Sequence, residues 1–228
     1  MTPLWLIRAR LRQTPSVAAL AKLLVPEEAG EQVAAAHRLV WALLSDGPAR
    51  QRDFLWRQDK PGQFMALSSR PPNPLHDIFE IESQDFAPAL AAGDALRFAL
   101  HANPVVARSE GPGQRGKRHD VVMDALHRLP AGVERAEVRL QKVVEAGGAW
   151  LARQGAAHGF RPLGEVGVDG YETIRIPRQG ARPLHFSVVD FDGVLEVTDP
   201  ARFLAALAAG FGRSRAFGCG LMLIRRAR

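Results

Sequence analysis

Over its first hundred residues the chain switches repeatedly between a hydrophobic period of two and one near 3.6, and the order of those switches limits the fold more than any single motif. Leu4, Leu6 and Ile7 are apolar while Arg8 and Arg10 share one face, which predicts a strand over 3–10. Val33, Ala36, Val40, Leu43 and Leu44 then recur at helical spacing. They predict a helix over 29–46, stopped by Asp46-Gly47-Pro48. Short strands are expected at 54–57 and 64–67, on either side of the turn signal Asp59-Lys60-Pro61-Gly62. After a proline-rich loop from Arg70 to Pro74, 78–81 and 95–102 read as further strands. Strand, helix, strand, strand, loop, strand is half of a ferredoxin-like arrangement with a weak second helix.

The stretch 107–118, ARSEGPGQRGKR, combines glycines, a proline and a surplus of positive charge, and reads as an exposed linker or mobile loop. Beyond it, helices are expected over 121–129 and 131–154, the second interrupted at Gly147-Gly148. Strands are expected at 160–168, 171–176, 184–189 and 193–197, the last two joined by an Asp192-Gly193 hairpin turn. Asp199 and Pro200 open a helix as N-cap and first helical residue, running to about Ala209, and 221–224 is a final strand. The expected fold class is therefore α+β: two tandem ferredoxin-like (RRM-like) domains with antiparallel sheets. Their expected limits are 1–106 and 120–228, with 107–119 as linker. No sequence repeat relates the halves, so any likeness between them is structural.

With 30 Lys and Arg against 24 Asp and Glu, the net charge is +6, and the only lysines are Lys22, Lys60, Lys117 and Lys142. A basic balance suits a polyanionic partner, because cationic side chains displace counterions from phosphates. Cys219 is the only cysteine, which excludes an intrachain disulfide and a cysteine-based zinc site. The seven histidines form no HxH or HxxxH pair, so neither a metal nor a cofactor is expected. No apolar run approaches the ~20 residues that span a bilayer. The start, MTPLWLIRARLRQ, lacks the continuous apolar centre of a signal peptide, and the expectation is a cytoplasmic protein.

The most distinctive segment is GFGRSRAFGCG, where Gly210, Gly212, Gly218 and Gly220 bracket Arg213 and Arg215. Glycine permits close backbone approach and offers free N–H groups, and arginine pairs phosphate bidentately. The bland alternative is a tight helix-to-strand connection. Other basic candidates are Arg115, Lys117 and Arg118 in the linker, and Arg175, Arg178 and Arg182 in IRIPRQGARP, on or beside a hairpin. His37 sits at the edge of the buried stripe of its helix, a place that also suits a packed core histidine, and Arg38 follows it.

Helix, GxGxxxxxGxG, then apolar strand resembles the glycine-rich loop of CRISPR repeat-processing endoribonucleases. FDGVLEVTDPARFLAAL ahead of it resembles the lead-in of the CasE subfamily. AAHRLVWALL (35–44), FLWR (54–57), LRFALHANPV from Leu96 and GKR (116–118) resemble further segments of that subfamily in the same order, and the likeness is weakest over 145–182. The resemblance implies RNA cleavage without metal by 2′-OH attack on the adjacent phosphate, with His37 as the catalytic histidine. It also implies that a basic hairpin region at 174–183 grips the repeat stem, that the product hairpin is retained, and that the protein serves as a subunit of Cascade. Arg38, Arg115, Lys117, Arg118, Arg175, Arg178, Arg182, Arg213 and Arg215 are the expected RNA contacts. In one respect the chain departs from the family: the tyrosine expected three residues before the histidine is Ala34, and the only tyrosine is Tyr171. That departure keeps a second reading open, a non-catalytic RNA-binding subunit.

Overall fold

The computed structural model describes every residue except 1, 2, 48–50, 110, 112, 115, 131, 179 and 228. β1 (Trp5–Leu11) follows its period-two pattern, burying Ile7 and Ala9 and exposing Arg8 and Arg10. Two short helices that the hydrophobic pattern did not announce, α1 (Pro15–Ala19) and α2 (Ala21–Leu24), come next, with Thr14 capping the first through Val17 N–H. α3 (Ala29–Leu44) buries Ala36, Val40, Leu43 and Leu44. β2 (Phe54–Lys60), β3 (Gln63–Ser68) and β4 (Phe79–Asp85) complete an antiparallel sheet in the order β2-β3-β1-β4. The apolar stripe of α3 packs on the face of this sheet formed by Ile7, Ala9, Phe54, Trp56, Phe64 and Phe79.

The second sheet contains β5 (Ala95–Ala102), β8 (Phe160–Ile176), β9 (Leu184–Val197) and β10 (Met222–Arg226), in the order β10-β5-β9-β8. All its pairings are antiparallel. Between β5 and β8 lie a ribbon, β6 (Val105–Arg108) and β7 (Lys117–Asp120), and the helices α4 (Val121–His127) and α5 (Arg135–His158). α6 (Pro200–Ala209) and a 3-10 turn (Arg215–Phe217) separate β9 from β10. Trp150 and Leu151 of α5 and Phe203 and Leu207 of α6 pack on Leu96, Leu100, Phe191 and Leu195 in one core. In both sheets the first strand in the chain lies between the third and the fourth. The α+β class with two antiparallel sheets is thus as expected.

Several local expectations are corrected. The strand at 95–102, placed with the first half, is central in the second sheet, paired with β9 from Ala95↔Glu196 to Ala102↔Val189 and with β10. The changeover between sheets therefore falls between Asp85 and Ala95 rather than at 107–119. Alternation marks β5 as a strand, but only its partners decide its sheet. The 107–118 stretch is partly regular: Arg108 pairs with Lys117 and Ala107 with Arg118 in the β6–β7 ribbon. Arg108 anchors that ribbon to α4 through Asp124 at 2.7 Å.

α5 runs unbroken through Gly147-Gly148. A Cβ on Gly147 would lie 2.7 Å from Val168 Cγ1 and 3.3 Å from Phe191, so its glycine lets the helix approach the sheet. β8 is one long strand with register irregularities between Leu163 and Gly167 and between Asp169 and Glu172. β9 passes straight through Asp192-Gly193, because Asp192 pairs with both Ala99 and Gly167 and Gly193 with Phe98. A strand held on both sides overrides a turn-forming dipeptide. Among the described residues, no helix is long and apolar enough to cross a membrane.

Two apolar clusters join the halves among the described residues. Leu55 and Leu67 of the first sheet pack against Leu221, with Met65 and Leu223 alongside. Val33 and Ala34 of α3 pack against Ile174, Ile176, Val188 and Cys219. The first turn of α3 comes so close to β8 that any Cβ on Gly30 would fall on the Arg175 carbonyl oxygen. This packing fixes α3 against the segment that follows α6, and the candidate site lies there.

Candidate active site

His37 projects from α3 onto the 3-10 turn, with Nδ1 2.7 Å from the Ala216 carbonyl oxygen. A carbonyl only accepts, so Nδ1–H is the donor and the neutral ring carries its free lone pair on Nε2. Trp56 Nε1–H donates to the same oxygen at 3.1 Å. The imidazole packs on Phe217, with centroids 5.3 Å apart, and on Trp41 at 5.9 Å. Burial pushes the His37 pKa below its ordinary value, the Ala216 carbonyl opposes that shift, and the cations of Arg38 and Arg52 lower it further. The side chain is therefore neutral near neutral pH, with Nε2 ready to accept a proton.

The segment 210–220 can present Ala216 in this way because it is tied to the end of β5. Gly220 N–H donates to His101 O at 2.8 Å, Arg213 N–H to Asn103 O at 3.1 Å, and Phe211 N–H to Gly220 O at 2.9 Å. The buried Asn103 side chain donates to Ser214 Oγ at 2.7 Å, holding Ser214 at φ 53. Gly212 and Gly220 have φ of 71 and 93, and a Cβ on either would meet a backbone oxygen at 2.7 Å or less. Gly210 ends α6, its N–H bonded to Ala206 O, and Gly218 lies against the Trp56 ring. The expectation of free N–H groups is thus corrected at Gly210 and Gly220, whose N–H groups are used within the fold. These glycines shape the loop.

Beside Ala216 and Phe217 opens a groove of about 570 Å³ lined by Arg52, Arg118, Arg213 and Arg215. Among the described residues none of these four pairs with a carboxylate. Burial lowers the pKa of Arg52, helped by the charge of Arg215, and burial lowers that of Arg215, helped by Arg213. Cations that repel one another without a counter-charge are the electrostatic mark of an anion site. Arg215 is partly committed to the loop, donating to Ala209 O at 2.6 Å and Gly212 O at 3.2 Å.

The structure thus brings His37, Arg118, Arg213 and Arg215 together. Arg38 is exposed on α3 and Lys117 is exposed on β7 next to Arg118. Arg175, Arg178 and Arg182 are exposed at the β8–β9 turn and do not line the groove, although Leu184, His185 and Phe186 of the same hairpin do. Arg115 lies outside the described residues. Sequence reasoning missed Arg52, Asn103 as a staple, and the Ala216 carbonyl. Of these only Asn103 carried any signal, within the ANP tripeptide.

Ala34 is enclosed in the apolar cluster between α3 and β8, and Tyr171 is engaged elsewhere. Its hydroxyl donates to Asp120 at 3.2 Å, with Arg139 5.3 Å above its ring. Burial pushes the Cys219 thiol up to about 12, which leaves it protonated and unreactive. Among the described residues no three His, Cys, Asp or Glu side chains gather to hold a metal ion.

Two antiparallel sheets, an imidazole bonded through Nδ1 and an arginine-lined groove next to its partner define the class: an α+β protein with a histidine beside a cationic groove. The family model described as CRISPR associated protein matches residues 4–226. The CRISPR-associated endoribonuclease Cse3 of Thermus thermophilus is 34% identical over 164 residues, which span 68% of this chain and 61% of that relative. The CRISPR system Cascade subunit CasE of Escherichia coli is 24% identical over 220 residues, 89% of this chain and 96% of that one. The solved structure of Thermus thermophilus Cse3 bound to an RNA representing a pre-cleavage complex superposes with a TM-score of 0.67 at 26% identity, over 98% of this chain and 99% of that one. The chain belongs to the Cse3/CasE family of CRISPR-associated proteins.

Proposed function

We propose that the chain is an endoribonuclease that cuts CRISPR precursor RNA at the repeat stem-loop and stays with its product as a Cascade subunit. The observation that carries this reading is the 2.7 Å contact between His37 Nδ1 and Ala216 O, which leaves Nε2 free to accept a proton on a ring packed against Ala216 and Phe217, both of which line the arginine groove. In the proposed reaction Nε2 takes the proton of a ribose 2′-OH. The 2′-oxygen attacks the adjacent phosphorus in line, the O2′–P bond forms and the P–O5′ bond breaks. The 5′-oxygen leaves as a hydroxyl with a proton from the imidazolium or from water, and the other end is a 2′,3′-cyclic phosphate. Arg52, Arg118, Arg213 and Arg215 stabilise the charge that builds on the phosphate oxygens. Imidazole and guanidinium supply the groups this chemistry needs, so the mechanism calls on no metal or cofactor.

The remaining basic candidates extend the RNA path: Arg38 and Lys117 near the groove, and Arg175, Arg178 and Arg182 along the stem, with Arg115 a further candidate on the sequence alone. A-form RNA has a deep, narrow major groove, so such contacts read shape and phosphate. Each sheet with its helices forms one ferredoxin-like half in this reading, consistent with the shared strand order. The Cascade role rests on the E. coli relative's description as a Cascade subunit.

Ala34 favours a second reading, a non-catalytic RNA-binding subunit, because no hydroxyl stands one turn before His37. Incubating the purified protein with a repeat hairpin in EDTA separates the two. Cleavage to a cyclic phosphate and a 5′-hydroxyl, stopped by a 2′-deoxy substitution at the scissile nucleotide, is the expected result. Tight binding with an intact hairpin supports the second reading instead.

A further inference from the structure

A second hollow, of about 210 Å³, shares Phe186 and Phe217 with the groove. It is lined by Gln32, Gln58, His101, Glu172, Phe186 and Phe217. Its volume is below the ~300 Å³ at which pockets for drug-sized ligands begin, and suits one planar heterocycle. Phe186 and Phe217 are stacked, 5.8 Å apart at 26°, and line both hollows as a shared wall. Phe217 also packs on His37, while Gln32 and Val33 lie about one helical turn, ~5.4 Å, before that histidine on α3.

The chemistry of the two hollows is opposed. The groove presents arginines without carboxylates. In the smaller hollow Asp59 is paired with Arg57 at 2.8 Å, which among the described residues leaves Glu172 and Lys60 as the unpaired charges and no cluster of cations to hold a phosphate. Among the described residues the side chains of Gln58 and Glu172 have no hydrogen-bond partner, and His101 donates Nδ1–H to Asp190 at 2.8 Å, leaving Nε2 to spare. A carboxylate and a primary amide beside aromatic faces match an unstacked base, whose Watson–Crick edge offers both an N–H and an acceptor.

In a stacked A-form strand the 2′-oxygen lies beside its phosphate rather than opposite the leaving 5′-oxygen. In-line attack therefore requires one flanking nucleotide to leave the stack. We propose that this hollow holds the unstacked base of a nucleotide flanking the scissile phosphate, and so sets the backbone for attack. The proposal rests on the endoribonuclease reading for the location of the phosphate. Gln58 and Glu172 are then positioning residues that act through the RNA.

The test uses repeat hairpins carrying 2-aminopurine at each nucleotide flanking the scissile phosphate, with a 2′-deoxy scissile nucleotide so that nothing is cut. Wild-type protein should raise the fluorescence at one of these positions. The Gln58→Ala/Glu172→Ala double variant, with its melting temperature checked against wild type, should not raise it, at unchanged affinity for the stem. In single-turnover cleavage the double variant on normal RNA, and wild type on RNA abasic at that position, should each lose roughly 10-fold to 100-fold. Combining them should cost little more, since both remove one interaction. Fluorescence that stays quenched at both positions, or losses that multiply, overturns the base site. The fluorescence arm needs no cleavage, so it reports on the pocket even if the chain only binds RNA. Cutting without unstacking overturns the pocket and leaves the endoribonuclease reading intact.

Discussion

At the scale of the residue, the proposed reaction rests on one imidazole, whose environment would set the pH at which it works. A base must be deprotonated to accept a proton, and burial first, then the Arg38 and Arg52 cations, lower the His37 pKa. The acidic limb of the cleavage rate should therefore lie below the ordinary imidazole value of about 6.5, with His37 already neutral above it. Arg52→Gln removes one of the lowering charges, so the limb should move to higher pH. Single-turnover rates across pH ~5 to 8 check this, and a limb that stays put removes either His37 or Arg52 from the pair. The helix that carries His37 was legible because its apolar residues recur at helical spacing. The ring's partner was not, since a backbone carbonyl 179 positions away has no side-chain signature. Arg52 was missed for a similar reason: it belongs to no motif, and only folding places it beside Arg215.

At the scale of the element, glycine is where local reading succeeded and failed for physical reasons. The cluster at 210–220 was legible as a loop because so many glycines rarely tolerate helix or strand. The same residue type misled at Gly147-Gly148, where tertiary packing outweighs the roughly 1 kcal/mol each glycine costs a helix. The pair yields a contrast. A Cβ on Gly148 meets nothing within 4 Å, so Gly148→Ala should stabilise the fold by about 0.5–1 kcal/mol through propensity alone. Gly147→Ala gains the same propensity but drives its Cβ to 2.7 Å from Val168 Cγ1, so it should be neutral or destabilising. Urea melts of the two variants read the difference, and equal stabilisation by both would contradict the close approach of α5 to β8. The Asp192-Gly193 turn failed in the same way, because β5, which pairs with Asp192 and Gly193, is distant in sequence and leaves no local trace.

At the scale of the whole molecule, the period changes made two antiparallel sheets legible but not the membership of β5. Alternating burial of Leu96, Phe98, Leu100 and Ala102 says strand, and only the helices and strands that close over them say which sheet. The positive balance was legible as a sign of a polyanionic partner, whereas its concentration in one groove arises from three separate chain segments meeting. Counterion release makes that groove testable. Arg118→Gln and Arg213→Gln should each weaken binding of the repeat hairpin and reduce the slope of log affinity against log salt by about 0.9 for each phosphate the variant no longer neutralises. An unchanged slope would move the RNA elsewhere. Binding in this account belongs to the extended basic surface and chemistry to one side chain, so a single substitution should part them. The direct measurement is single-turnover cleavage of a repeat hairpin by folded His37→Ala, with RNA affinity measured alongside. Affinity should stay within a few-fold of wild type while cleavage slows by about 10²–10⁴-fold; cleavage within a few-fold of wild type would contradict a catalytic His37.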